Sequence, residues 1–155
     1  MKKAFTMIEL IFIIVIIGIL VVIALPRLTA TRTDAKVAVI LAHLRQVTID
    51  ASVYYAARGK KEWIKASVDS ITNVPLFKDA QCKEEVDSNT TFLTNTLYIC
   101  DKKRNIIKLD ANRTHLVISR GDSNSSVAKS VYNSKVFKSL NYSHGIRLGG
   151  ISIVK

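Results

Sequence analysis

Residues 2–26 read KKAFTMIELIFIIVIIGILVVIALP, and this stretch decides the architecture of the chain. Every residue from Leu10 to Leu25 is apolar or glycine, and Glu9 is the one acid within the run. A carboxylate placed in hydrocarbon costs about 2.5–3.5 kcal/mol on insertion scales. Glu9 therefore needs a charge or a hydrogen-bond partner.

The apolar run is long enough to cross a membrane as one helix. Residues 5–25 extend about 31 Å at about 1.5 Å per residue, and a bilayer core is about 30 Å thick. Inside lipid the backbone must satisfy its own hydrogen bonds, so a helix is favoured although Ile and Val are weak helix formers in water. Lys2 and Lys3 precede the run, and the positive-inside rule keeps that end cytoplasmic. We expect a single-pass inner-membrane protein with residues 27–155 in the periplasm.

Two ordinary explanations of the run fit it less well. A cleaved secretory signal peptide has an apolar region of about 7–15 residues followed by a small-x-small site. Here the apolar region is longer, and LPRLTA follows it. A plain membrane anchor explains the length and the orientation but leaves Glu9 unexplained.

The string KKAFTMIELIFIIVIIGIL closely resembles the prepilin signature of the type IV pilin and type II secretion pseudopilin superfamily. The resemblance implies a leader peptide of residues 1–4, cleavage between Ala4 and Phe5 by a prepilin peptidase, and N-methylation of Phe5. It also implies that Glu9 is the acid that nearly all members carry and that Pro26 is a helix-kinking proline. Ala4 departs from the family pattern, in which Gly is usual at this position.

Cleavage would give Glu9 a partner. It creates a charged amine on Phe5, one helical turn away, so the carboxylate can neutralise the amine of its own chain. In a filament the same carboxylate can pair with the amine of a neighbouring subunit, because unpaired charge inside a membrane is costly. Such a pair would set the register between subunits. Thr6 and Glu9 also lie where the exposed N–H groups of a helix start favour an anion.

Beyond Pro26, which lacks an N–H and bends or interrupts a helix, the apolar spacing indicates a second helical segment. Apolar residues recur there at steps of three and four, which places them on one face of a helix. The residues on this face are Val37, Ile40, Leu44, Val47, Ala51 and Tyr54. Gly59 ends the pattern. We predict one long, broken helix over about residues 5–57, with residues 27–58 packed on a globular domain of residues 59–155; a coiled-coil dimer is the alternative explanation.

The rest of the chain indicates a small antiparallel sheet. A short helix is expected within KEWIKASVDSI, with Trp63 and Ile64 on its buried side, followed by a loop-rich stretch to residue 91. FLTNTLYIC, NIIKLD and THLVISR read as strands separated by the turns DKKR and ANR. SVAKSVYN, KVFKSLNY and GIRLGGISIVK are expected to be further strands. A long helix covered by such a sheet is an α+β fold, and it is the pilin-like architecture that the resemblance implies.

Cys82 and Cys100 are expected to form one disulfide. The predicted topology places both outside the cytoplasm, where disulfides persist. Two cysteines in one domain favour a single intramolecular bridge over free thiols, and closing this loop is worth about 3 kcal/mol in the chain-entropy model. Many pilins have their bridge nearer the C-terminus, so its placement here departs from that pattern.

Four asparagines stand in N-x-S/T sequons: Asn89, Asn112, Asn124 and Asn141. The first three have Asp two residues earlier, in DSNTT, DANRT and DSNSS. This pattern resembles the stricter acidic sequon D/E-x-N-x-S/T of bacterial periplasmic N-glycosylation. We expect N-glycosylation at these three sites in a host with that machinery; chance matches in a region rich in Asn, Ser and Thr are the alternative.

The charge suits a polyanionic partner, and no catalytic chemistry is expected. The net charge is +11, and no acid follows Asp122. A positive outer face would suit a polyanion such as DNA or acidic polysaccharide, but a solvated basic surface is the preferred interpretation. The sequence has no hydrolase, zinc-peptidase or phosphate-loop motif and no histidines at metal-ligand spacing. We expect no enzyme, cofactor or metal.

The resemblance implies a structural subunit of an inner-membrane-anchored filament that extends toward the cell surface. The expected partners are other pilin-like subunits in a homo- or heteropolymer, the prepilin peptidase, an inner-membrane platform protein and an assembly ATPase. DNA uptake in natural transformation, protein secretion, and adhesion or motility compete as tasks. The short chain, the basic domain and the lack of the acidic calcium loop of major secretion pseudopilins tilt slightly toward DNA uptake. The alternatives are a true type IV pilus subunit and a membrane-anchored periplasmic binding protein that does not polymerise.

Overall fold

A computed structural model describes residues 5–141 and 145–149, except for the side chains of residues 25–29. The chain forms two compact units, Met1–Ala35 and Lys36–Lys155. In chain order the elements are α1 (Met7–Lys65), α2 (Val68–Ile71), β1 (Leu97–Asp101), β2 (Arg104–Ala111), β3 (His115–Arg120), α3 (Ser126–Asn133), α4 (Lys135–Leu140) and β4 (Ile146–Arg147). The predicted α+β class, with a long helix and an antiparallel sheet, is confirmed, and it is compatible with a pilin-like fold.

The first unit contains a helix that is long and apolar enough to cross a membrane. The window Met7–Ala24 of α1 has a mean hydropathy of 3.3, and none of it is buried within the described protein. Exposing apolar surface to water costs about 25 cal/mol per Å². A window of this length and composition is therefore consistent with single-pass anchoring.

In the second unit the predicted apolar stripe of α1 forms one side of the core. Leu44, Val47 and Ala51 are fully buried, and Ile40 is nearly so. They belong to one cluster with the inward-facing residues of the sheet. The stripe is thus covered by its own chain, as the preferred prediction has it, and is not available for a coiled-coil dimer.

The break in α1 at Gly59 leads to the buried tryptophan of the domain. Gly59 has φ 76° and ψ 174°, a left-handed conformation that glycine adopts readily. Beyond it Trp63 is buried, stacks on Phe92 with ring centres 5.5 Å apart and donates from Nε1 to the carbonyl of Asn112 at 3.1 Å. Ile64 is 37% exposed, so the prediction that it is buried beside Trp63 is wrong.

The predicted meander is present as one antiparallel sheet in the order β1-β2-β3-β4. Alternate residues on its inner face are buried: Leu97, Ile99, Ile107, Leu109, Leu116 and Ile118. The β1–β2 hairpin turns at Lys102, which has φ 59°, and pairs Asp101 with Arg104. Of the last predicted strand, GIRLGGISIVK, Ile146–Arg147 pairs with β3, and residues 150–155 lie outside the described residues.

Two segments predicted as strands, SVAKSVYN and KVFKSLNY, form the helices α3 and α4 instead. A serine caps each helix start, because Ser125 Oγ accepts from the N–H of Ala128 at 3.2 Å and Ser134 Oγ accepts from the N–H of Phe137 at 3.1 Å. The β-branched valines favour strands locally. The serine caps, together with burial of one face of each helix, outweigh that preference.

The predicted disulfide is present between Cys82 and Cys100, whose Cα atoms are 6.1 Å apart. Cys100 lies in β1, and Cys82 lies in the loop that precedes this strand. Within that loop the carboxylate of Asp79 accepts from the N–H groups of Lys83 and Glu84. The bridge therefore ties a locally hydrogen-bonded loop to the edge of the sheet.

Replacing both cysteines by serine should lower the free energy of unfolding by about 2–4 kcal/mol, because the bridge no longer restricts the unfolded chain. Urea unfolding of the full-length protein in detergent, followed by circular dichroism, measures the change. Wild-type protein treated with a reductant is the matched control and should unfold at the same urea concentration as the double variant. Equal midpoints for the variant and the oxidised wild type would contradict the prediction.

Candidate assembly site on the N-terminal helix

Thr6 and Glu9 form a capping box at the start of α1. The backbone N–H of Thr6 donates to Glu9 Oε2 at 2.8 Å, and the hydroxyl of Thr6 donates to the same oxygen at 2.7 Å. The N–H of Glu9 in turn donates to the hydroxyl oxygen of Thr6 at 3.4 Å. The box satisfies backbone donors that have no acceptor within the helix. The spacing T-x-x-E is the sequence pattern typical of a capping box. The sequence analysis placed Thr6 and Glu9 at the helix start because of the helix dipole and did not identify the box.

The capping box gives Glu9 a local role in addition to charge pairing. Both hydrogen bonds from Thr6 go to Oε2, and among the described residues Oε1 takes none. The cap thus fixes the direction of the carboxylate and leaves one oxygen for another donor. A positively charged amine that arrives at this end of the helix would meet an acceptor that is already oriented.

The other residues of the prepilin signature are only partly described. Ala4, on the N-terminal side of the predicted cleavage point, lies outside the described residues. Phe5 precedes α1, and its side chain is 78% exposed. Pro26 lies within α1, but its side chain is outside the described part of the chain, so the kink expected there stays a prediction. Cleavage after Ala4 and methylation of Phe5 also stay predictions.

A second, largely apolar stripe runs along α1 in the second unit, on the side away from the core. Its residues, here called the outer stripe, are Val39, Ala42, Ile49, Val53 and Ala56, with the polar Gln46 in the middle of the row, all of them exposed. Val39, Ile49 and Val53 are 52%, 57% and 60% exposed. At about 100° per residue, Ile49 lies about 200° from both Val47 and Ala51, which are buried in the core.

The outer stripe has the spacing of a helix–helix contact. Its members are separated by three and four residues in alternation, the heptad period that keeps a seam facing a partner helix. Single surface apolar residues are ordinary, and the polar Gln46, whose amide donates to Asp50 Oδ1 at 2.7 Å, interrupts this row; the regular spacing is what distinguishes it. The spacing from residue 39 to residue 56 is present in the sequence. The sequence analysis did not identify it, because the more apolar stripe that starts at Val37 has the same period.

The three acidic sequons expose their asparagines, but their backbones are held differently. Asn112 closes a turn, because its Oδ1 accepts from the N–H of Thr114 at 2.9 Å and from the N–H of His115 at 2.7 Å. Asn89 and Asn124 lie in the loops before β1 and α3. No hydrogen bond of either side chain is found among the described residues.

The sequon of Asn89 is held in a second closed turn. The carboxylate of Asp87 accepts from the Thr90 hydroxyl at 2.6 Å, from the Lys78 ammonium at 2.9 Å and from the N–H of Asn89 at 3.2 Å. The bond from the Thr90 hydroxyl, followed by that from Lys78, lowers the pKa of Asp87 to about 2. Asp87 is therefore ionised and engaged at any physiological pH.

The basic tip of the β1–β2 hairpin is free of carboxylate partners. Lys102, Lys103 and Arg104 are exposed, and within the described ranges none of them forms an ion pair. Lys36, by contrast, pairs with Asp101 at 2.9 Å. A groove of about 470 Å³ adjoins Lys103 and Arg104 on the side of the loop before α3. Three adjacent unpaired cations can contact phosphate or carboxylate groups of a polyanion.

Neither a metal site nor a similarity to a known protein indicates a function for the chain. In the part of the chain that the structure describes, no group of three or more His, Cys, Asp or Glu side chains is placed to hold a metal ion. No protein-family model, curated protein or solved structure matches the chain.

Replacing Ile49 by alanine should change the free energy of unfolding by less than about 0.5 kcal/mol, because the residue is 57% exposed and lies outside the core. The matched change on the same helix, Leu44→Ala, removes a fully buried side chain and should cost about 2–5 kcal/mol. Urea unfolding of both full-length variants in detergent compares them. Equal losses for the two variants would mean that the outer stripe belongs to the core.

Proposed function

We propose that the chain is a structural, pilin-like (pseudopilin) subunit of a membrane-anchored filament of the type IV pilus or type II secretion kind. The observation that carries the proposal is the setting of Glu9. It is the only acid in a membrane-length apolar helix, it directly follows the prepilin-type sequence KKAFTMI, and Thr6 holds it at the helix start.

The charge pair of Glu9 is the basis of the proposed assembly mechanism. Cleavage after Ala4 leaves a charged amine on Phe5, close to a carboxylate whose direction the capping box already sets. Pairing with the amine of a neighbouring subunit lets two opposite charges within hydrocarbon compensate each other, which favours subunits whose helices are in register. Growth of the filament then requires insertion of further subunits and no chemistry in the globular domain.

The outer stripe supports a filament subunit over a solitary anchored binding protein. Subunits whose long helices pack side by side need apolar helix surface beyond that used in their own cores. The outer stripe offers such surface at heptad spacing, with Val39, Ile49 and Val53 more than half exposed. In a binding protein that never polymerises, these apolar residues would stay exposed to water, which is unfavourable.

The proposed location is the inner membrane, with the N-terminus cytoplasmic and the globular domain periplasmic. Lys2 and Lys3 favour this orientation by the positive-inside rule. The Cys82–Cys100 bridge supports it, because disulfides persist in the periplasm and are rare in the cytosol. Other pilin-like subunits, the prepilin peptidase, a platform protein and an assembly ATPase are the proposed partners.

Among the tasks of such a filament, we propose DNA uptake ahead of protein secretion and of adhesion or motility. The cations Lys102, Lys103 and Arg104 at one hairpin tip, which form no ion pair among the described residues, favour it, because phosphate contacts dominate the affinity of proteins for DNA. Protein secretion remains the second candidate task. A knockout scored for transformation, for secreted proteins and for surface pili separates the three.

Deleting the prepilin peptidase should leave residues 1–4 on the chain and Phe5 unmethylated. Intact-mass spectrometry of the full-length protein from deletion and parent strains reads both changes directly. Ala4→Gly, which restores the residue usual in the family, is the matched variant and should be processed at least as completely as the wild type. An identical mass in the two strains would reject the proposal in favour of a plain membrane anchor.

Substitutions at Glu9 and Thr6 separate charge pairing from helix capping. Glu9→Gln keeps an acceptor for the capping box but removes the charge, Glu9→Leu removes both, and Thr6→Ala removes the capping hydroxyl but keeps the charge. Incorporation into sheared filaments should fall at least about tenfold for both Glu9 variants, equivalent to about 1.4 kcal/mol. Thr6→Ala should be incorporated nearly as well as the wild type.

The membrane fraction is the control for this series, because all three variants should insert normally through the remaining apolar run. Normal incorporation of Glu9→Gln would show that Glu9 serves only as a helix cap. Loss of incorporation for Thr6→Ala alone would assign the assembly defect to the helix start rather than to the charge.

A further inference from the structure

The loop before α3 presents the acidic sequon DSNSS with its three motif residues outward. Asp122, Asn124 and Ser126 are exposed, whereas Ser123 and Ser125 between them are half-buried. The hydroxyl of Ser123 donates to the hydroxyl of Ser125 at 3.1 Å on the inner side of the loop. Alternate residues of an extended chain point to opposite sides. The acid, the asparagine and the hydroxyl of this motif are therefore all exposed, although the Asp122 carboxylate also accepts from Asn105 Nδ2 at 3.3 Å.

The inner side of the loop is fastened to the domain. The N–H of Gly121 donates to the carbonyl of Ile106 at 3.0 Å, and the N–H of Asp122 donates to Asn105 Oδ1. A Cβ at position 121 would lie 2.6 Å from Asn105 Oδ1, so the chain approaches closely because this residue is glycine. Ser125 then caps α3. The loop is held before and after Asn124, whose side chain has no hydrogen bond among the described residues.

The sequon of Asn112 is not presented in this way. Its Oδ1 is occupied by two backbone N–H groups, and the hydroxyl of Thr114, two residues on, is 2.8 Å from His115 Nδ1. The carbonyl of Asn112 also accepts the indole N–H of Trp63. An enzyme that has to bind the asparagine amide and the threonine hydroxyl could do so only after this turn opens.

The sequon of Asn89 is also engaged. The acid of its motif, Asp87, is bound to the Lys78 ammonium and to the Thr90 hydroxyl. Two residues after the asparagine, Thr91 is half-buried, and its hydroxyl is 2.7 Å from that of Thr94. Both flanking motif residues are therefore used by the fold, although the asparagine itself is exposed.

From this comparison we propose that Asn124 is an N-glycosylation site of the folded chain and that Asn89 and Asn112 are poor acceptors. The donor class is an oligosaccharide linked to a polyprenyl pyrophosphate. This inference goes beyond the filament function and needs only that the globular domain reach the periplasm, where such a transferase acts.

The transfer balances without an oxidant or a reductant. Nδ2 of Asn124 forms a bond to C1 of the first sugar, while the bond between C1 and the pyrophosphate oxygen breaks. The polyprenyl pyrophosphate leaves with the bonding electron pair, and Nδ2 gives up one proton to a base of the transferase. Asp122 offers a negative charge, and Ser126 offers a hydroxyl, at the two positions that the acidic sequon specifies.

The test is glycopeptide mass spectrometry of the full-length chain, expressed in a bacterial host that carries an acidic-sequon oligosaccharyltransferase and its lipid-linked oligosaccharide. Occupancy at Asn124 should exceed that at Asn89 or Asn112 at least about tenfold, since the two latter turns must open locally before transfer. Asn124→Gln should abolish most of the glycan. Asp122→Asn, which keeps the size of the side chain but removes its charge, should also reduce it.

Asn112→Gln is the matched control and should leave the glycan at Asn124 unchanged. Glycan at Asn89 or Asn112 with Asn124 empty would overturn the inference. So would absence of glycan from all three sites in cells that modify a co-expressed acceptor protein with an acidic sequon. The N-terminal peptide in the same spectra reports cleavage after Ala4, so failure of this inference and failure of the proposed filament function are distinguishable.

Discussion

Helix α1 carries more apolar surface than its own chain covers, and this excess links the fold to the proposed function. Leu44, Val47 and Ala51 are fully buried in the core of the globular domain, while Ile49 and Val53 on the other side of the same helix stay more than half exposed. The window Met7–Ala24 is not covered by any described part of the protein. Uncovered apolar surface is unfavourable in water, so the helix requires lipid, other helices or both.

Two interactions, rather than one, explain why an acid stands at position 9. Its carboxylate closes a capping box with Thr6, which explains how an acid is accommodated at the start of an apolar helix. A glutamine at this position would cap the helix equally well, because its side-chain oxygen also accepts from a backbone N–H. The charge is then the feature left to explain, and pairing with the amine of a cleaved prepilin is the proposed explanation.

Much of the fold follows from local patterns in the chain. The period of the stripe that includes Ile40 and Leu44, the break at Gly59, the three strands of the meander and the Cys82–Cys100 bridge are all predicted from the sequence, and the structure bears them out. The segments of α3 and α4 are harder to predict, because short runs with valine every few residues fit a strand and a helix alike. The serines that cap α3 and α4 favour helices, but a cap decides the secondary structure only when the helix also packs on a core.

The sequence by itself determined that a membrane-length apolar helix begins the chain, that Glu9 lies within it, and that an amphipathic helix and an antiparallel sheet follow. Length, composition and periodicity are local properties, so they can be read without a structure. Only the tertiary structure decided that the outer stripe of α1 stays uncovered by the domain, and which of three similar sequons exposes both its asparagine and its hydroxyl without a hydrogen bond among the described residues. Burial and hydrogen bonding depend on partners far away in the chain, such as Asn105 beneath the loop of Asn124 and Trp63 beside Asn112.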